Sequence, residues 1–130
     1  MRQWSSRGAL IMSPVVFAEA SPAFEVHRDF EQFLEGIGVR RVEASTEALF
    51  LAGAVWKRYL DQRRRGLVCP QCGSANDVSC SSCGAPLRSR QHLIPDFLIG
   101  AHAAVHADRL LTRDRGFYRR HFAVLPIVGY

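Results

Sequence analysis

Two Cys-x-x-Cys pairs, Cys69/Cys72 and Cys80/Cys83, hold all four cysteines of this 130-residue chain and are separated by the seven residues from Gly73 to Ser79. Each pair sets two thiolates on one tight turn, and the glycine after it, Gly73 or Gly84, permits the positive φ that such a turn uses. Two such turns facing each other give the tetrahedral four-sulfur site that zinc accepts, so the spacing predicts one structural Zn²⁺ at Cys69, Cys72, Cys80 and Cys83. Two disulfides are the alternative, and they suit a secreted chain.

Three carboxylates form a second candidate constellation. In open parallel sheets, sites lie at the carboxyl ends of strands, where the following helices begin. Glu19 is placed near the start of a helix entered at Ser13-Pro14, Asp96 in the first turn after Pro95, and Asp114 directly after an apolar run. Convergent carboxylates bind Mg²⁺ or Mn²⁺, hard cations that keep room for water and phosphate and can activate water for phosphodiester hydrolysis. An acidic residue in a first helical turn is also favoured by the helix dipole with no chemistry attached.

The elements that must carry these residues alternate between strand and helix. Ala9 to Met12 reads as a buried strand feeding a helix capped at Ser13-Pro14; Pro22 interrupts it, and Phe24 to Leu34 resumes as helix with Phe30, Phe33 and Leu34 on one side. Val39 to Ala44 is a second strand, and Ser45-Thr46-Glu47 opens a helix running to Leu60. Trp56 and Tyr59 share a face with Ala52 and Val55 on that helix, which predicts core packing for both. Residues 67–90 turn abruptly to Cys, Ser, Gly and Pro and read as a zinc-ribbon-like insertion between a first body segment, 1–66, and a second, 91–130. In the second, Pro95 starts a helix with Phe97, Leu98, Ala101, Ala104 and Val105 at apolar positions. Arg109 to Thr112 is a third strand, Phe117, Tyr118 and Phe122 lie on a helical turn, and Ala123 to Val128 is a last strand. This alternation predicts an α/β protein with a parallel sheet covered on both faces. No internal repeat stands out.

The net charge is +5, which suits a polyanionic partner. Arg63, Arg64, Arg65, Arg88, Arg90, Arg113, Arg115, Arg119 and Arg120 gather near the insertion and the last acidic segment, where a groove tracking an RNA backbone could use them; a solvated surface accounts for them as well. His102 and His106 stand four apart, a metal-like spacing, but no Glu follows His102 to complete a hydrolytic zinc motif, and packing is the expectation. No apolar run approaches the roughly 20 residues of a membrane span. The N-terminus imitates a signal peptide, with Arg2 and Arg7 before the apolar stretch Ala9 to Ala18, but Pro14 and Glu19 fit a strand-to-helix junction better, so a cytoplasmic chain with reduced thiols is expected.

Three blocks in order, Ser13-Pro14-Val15-Val16-Phe17-Ala18-Glu19, Leu93-Ile94-Pro95-Asp96-Phe97-Leu98-Ile99-Gly100-Ala101-His102-Ala103 and Leu110-Leu111-Thr112-Arg113-Asp114-Arg115-Gly116-Phe117, resemble successive segments of the PIN domain family, in particular VapC-type ribonuclease toxins of bacterial toxin–antitoxin pairs. The similarity spans the chain apart from the cysteine insertion. The resemblance implies a three-layer α/β/α fold and a metal-dependent RNA endonuclease. It also implies Glu19, Asp96 and Asp114 as acidic ligands of Mg²⁺ or Mn²⁺, Thr112 as the small hydroxyl residue before the last of them, and a cognate antitoxin protein as partner. A homodimer is a further expectation.

The family also carries an earlier strand bearing an Asp, followed by a helix. Met1 to Gly8 reads as the tail of that helix, so the first strand and a fourth acidic ligand are expected from codons upstream of Met1, or else the copy is truncated and inactive. The alternative function is a non-catalytic zinc-ribbon module that binds nucleic acid or protein on a degenerate PIN scaffold. The ribbon's spacer is Ser-rich without aromatic or basic residues, which favours a stapled loop over a base-reading surface.

Overall fold

The computed structural model describes residues 8–62, 67–68, 72, 74–87 and 94–129. Strand β1 (Leu10–Met12) leads into helix α1 (Pro14–Ala20), where Ser13 caps by accepting a 3.3 Å hydrogen bond from the Val16 N–H and Pro14 occupies the first helical turn, whose N–H groups need no helical partner. The Ser21–Ala23 stretch around Pro22 is a 3-10 turn. Helix α2 (His27–Gly36) follows, then β2 (Val39–Arg41), which lies parallel to β1 with Leu10 opposite Val39. Helix α3 (Thr46–Gln62) is capped by the Ser45 hydroxyl, which accepts from the Ala48 N–H at 3.2 Å.

Helix α4 (Ile94–His106) packs along α3. It leads to β7 (Leu110–Leu111), α5 (Arg115–His121) and β8 (Ile127–Val128), and β7 and β8 are parallel with Leu110 opposite Ile127. Between α3 and α4 lie β3 (Leu67–Val68), β4 (Ala75–Asn76), β5 (Val78–Ser79) and β6 (Pro86–Leu87), paired as two antiparallel hairpins. The protein is therefore mixed α/β, with five α-helices among the described residues.

The expected parallel sheet is present as two separate pairs, β1 with β2 and β7 with β8, each a β-α-β unit. Strands of two or three residues offer few ladder hydrogen bonds, and helix packing rather than a continuous sheet joins the halves. Ala52 on α3 and Ala101 on α4 are fully buried, small enough to let the two helices approach closely around Phe97, which is also fully buried. Tyr59, Phe117 and His121 stand at 5.3, 5.0 and 5.6 Å from the Phe97 ring, centroid to centroid.

Three local expectations need correction. Phe24 to Val26 is not helical: α2 starts at His27 because Val26 is extended at its N-cap, and Phe33 is exposed while Phe30 and Leu34 are buried. Trp56 is 36% exposed, on the flank of α3, whereas Tyr59 turns inward. Glu19 lies in the last turn of α1 rather than its first, because that helix has only seven residues.

His102 and His106 have structural roles. The buried His102 donates from Nε2 to the Val42 carbonyl at 2.8 Å, and His106 Nε2 accepts from the Ser45 N–H at 3.3 Å, so the rings hold opposite tautomers and together fasten the β2–α3 connection onto α4. His102→Ala removes a buried ring and leaves the Val42 carbonyl without its donor, and should cost about 2 kcal/mol in urea unfolding. His102→Gln, whose amide nitrogen can reach the same carbonyl, should recover part of that loss.

Candidate functional site

The three acidic residues come from three separate segments. Asp96 sits half-buried in the first turn of α4, and Glu19 is exposed in the last turn of α1. Asp114 is exposed and caps α5, its Oδ1 accepting from the Phe117 N–H at 3.1 Å. Thr112 fixes this corner from behind, because its Oγ1 accepts from the Asp114 N–H at 3.2 Å. Asp114 thus has a structural task that its type alone would explain, while its second oxygen is not used by the cap.

What relates the three is Tyr118, a buried residue one turn into α5. Burial holds its phenol well above the ordinary tyrosine value, and the negative charges of Asp96, Asp114 and Glu19 all push in the same direction. Three carboxylates far apart in sequence therefore act on one hydroxyl. Among the described residues, however, no three His, Cys, Asp or Glu side chains are close enough to hold one ion between them. The donor chemistry still fits Mg²⁺ or Mn²⁺, since Mg²⁺ keeps several waters and commonly takes only one or two carboxylates directly. Asp96, Asp114 and Glu19 are the residues that would hold such an ion.

The sequence places Tyr118 on a helical turn with Phe117 and Phe122 but does not mark it as part of the site. The available signal was a hydroxyl four residues beyond Asp114, one helical turn away. The fold keeps this phenol neutral, so its contribution to stability is fully present below the unfolded value near 10 and falls as pH rises beyond it. Stability between about pH 9 and pH 11 should decline less steeply in Tyr118→Phe than in the parent, as measured by denaturant unfolding.

Arg113, Arg115, Arg119 and Arg120 are all exposed around the Asp114 corner and along α5. Arg63, Arg64, Arg65, Arg88 and Arg90 lie outside the described residues.

The insertion carries the other candidate site. Its two hairpins pair in matching registers, Leu67↔Asn76 and Val68↔Ala75 against Val78↔Leu87 and Ser79↔Pro86, so residues eleven apart in sequence take equivalent strand positions, an eleven-residue repeat. The repeat was hidden in the sequence because only Cys-x-x-Cys-Gly is shared within it. Cys69 lies outside the described residues. Cys72, with Sγ 3.1 Å from the Ser74 hydroxyl, and Cys83 are exposed, and Cys80 is half-buried. Backbone N–H groups of Ser82 and Cys83 donate to the Cys80 sulfur and hold its thiol below the ordinary value, helped by the Cys83 and Ser82 side chains against a smaller opposing effect of burial.

No family model, curated protein or solved structure matches this chain. No helix among the described residues is long and apolar enough to cross a membrane.

Proposed function

We propose that this chain is a PIN-like, VapC-type endoribonuclease that uses Mg²⁺ or Mn²⁺ to cleave single-stranded RNA and is held in check by a cognate antitoxin protein. The observation that supports the reading is that the charges of Asp96, Asp114 and Glu19, carboxylates drawn from three segments, all reach the Tyr118 phenol, which places oxygen donors of the type a hard cation takes around one end of α5. A divalent ion bound there supplies charge stabilisation at the scissile phosphate and a more acidic bound water. The chain's own residues do the rest. Thr112 and the α5 cap fix Asp114, the first turn of α4 fixes Asp96, and the exposed Arg113, Arg115, Arg119 and Arg120 supply phosphate contacts beside them.

The test is incubation of folded protein with single-stranded RNA, with and without Mg²⁺ or Mn²⁺, using this chain and a form extended by the in-frame codons upstream of Met1. Endonucleolytic cleavage that needs the ion supports the reading. Cleavage by neither protein overturns it in favour of a non-catalytic binding module.

A further inference from the structure

We propose that Arg115 is the residue that grips the RNA backbone beside the acidic corner, and that Gly129 holds its guanidinium in place. The assignment rests on single-stranded RNA as the substrate, and it singles out one of the exposed arginines around Asp114 together with the backbone that positions it.

The geometry comes from the end of the parallel pair β7 and β8. Leu111 stands opposite Val128, and the Thr112 N–H donates to the Val128 carbonyl at 3.0 Å, so the chain at Gly129 runs beside Thr112, the residue whose hydroxyl steadies Asp114. The carboxyl ends of parallel strands are where such sheets bind ligands. Arg115, the first residue of α5, lies over this end. Its Nε, Cζ and Nη2 atoms fill the space that a side chain at position 129 would take, directly against the glycine backbone. Only a residue without a Cβ leaves room for them.

Charge supplies the second argument. Arg115 is exposed, and among the described residues its guanidinium forms no ion pair, although Asp114 adjoins it in sequence and caps the same helix. A surface arginine samples many rotamers and loses that freedom when it grips a ligand. One already packed on backbone presents its planar fork of N–H donors at smaller entropic cost, which suits bidentate contact with phosphate oxygens. Glu19, Asp96 and Asp114 repel a phosphodiester, and a fixed, unneutralised cation beside them offsets that repulsion where an RNA strand must approach.

The test is binding rather than cleavage. The full chain is titrated against a fluorescein-labelled single-stranded RNA oligonucleotide, read by anisotropy, in EDTA across a salt series and again in Ca²⁺. In Arg115→Gln the affinity should fall on the order of tenfold, and in EDTA the slope of log affinity against log salt should be smaller by about 0.7, the share of one phosphate contact. Arg109→Gln removes the same charge at the opposite end of β7 and should change affinity less than about threefold. Gly129→Ala should weaken binding nearly as much as Arg115→Gln while its thermal midpoint stays near the parent's, because the flexible arginine and not the backbone gives way. In the double variant the two losses should not add. Parent-like affinity and salt slope in Arg115→Gln, an equal loss in Arg109→Gln, or additive losses in the double variant would each overturn the assignment. A parent chain that binds the oligonucleotide through Arg115 yet cleaves no RNA supports the assignment and overturns the nuclease reading alone; one that binds it in neither condition overturns both.

Discussion

Gly100→Ala should destabilise the protein by about 3 kcal/mol or more, lowering the thermal midpoint by on the order of 10 °C. The reason is a close approach in the middle of α4. A Cβ at Gly100 would fall within van der Waals overlap of three atoms of the Phe122 ring, and Phe122 is itself only 5% exposed, so the ring has nowhere to go without disturbing Phe117 and Tyr118 beside it. Alanine gains about 1 kcal/mol over glycine from helix propensity, which the overlap exceeds. Gly53, in the middle of the packed partner helix α3, has no atom within 4 Å of the same added carbon. Gly53→Ala should therefore stabilise by about 0.5–1 kcal/mol, the opposite sign for the same substitution in a neighbouring helix. Combining Gly100→Ala with Phe122→Leu should recover part of the loss, since the contact couples the two positions. A Gly100→Ala protein that melts with the parent would show that Phe122 does not pack there.

That glycine also illustrates which features the sequence reveals. Local signals were legible: Ser13-Pro14 and Ser45 cap helices, Pro22 interrupts one, and Ile94–His106 forms around the apolar spacing of Phe97 and Ala101. Each of these is decided within a turn or two of chain. The contacts Gly100 to Phe122 and His102 to Val42 are decided by tertiary approach, and nothing in a helical pattern separates a glycine that admits a ring from one that faces water. Trp56 was misread for a related reason. It follows the buried Val55 and shares an arc with Ala52, but sits at the edge of the buried arc, where a few tens of degrees decide exposure. At the candidate site the acidic residues were legible as types at helix ends, whereas the phenol on which their charges converge was not, because the convergence joins α1, α4 and α5.

Asp96→Asn should reduce metal-dependent RNA cleavage by roughly 100-fold or more while leaving the fold intact, given that even groups outside a metal's direct ligands cost 10- to 100-fold when removed. The amide is nearly isosteric, so packing at the start of α4 is kept, and the loss of a favourable charge in a first helical turn costs only about 0.3–1 kcal/mol. What it cannot replace is an anionic oxygen for a hard cation. A second readout separates this from simple damage. After burial, Asp96 is the largest influence raising the Tyr118 phenol, so in Asp96→Asn this tyrosine should titrate nearer its ordinary value, although still above it because burial persists. Asp114→Asn provides the comparison: its remaining amide oxygen can still accept from the Phe117 N–H, so the cap survives and only the charge is lost, whereas Asp114→Ala loses the cap and about 1 kcal/mol with it. Cleavage that falls in both asparagine variants, with unfolding midpoints near the parent's, assigns the loss to charge at the site. Parent-like cleavage in Asp96→Asn alongside the lowered Tyr118 titration would mean that the carboxylates meet at the phenol but hold no catalytic ion, leaving the α5 cap as the explanation of Asp114.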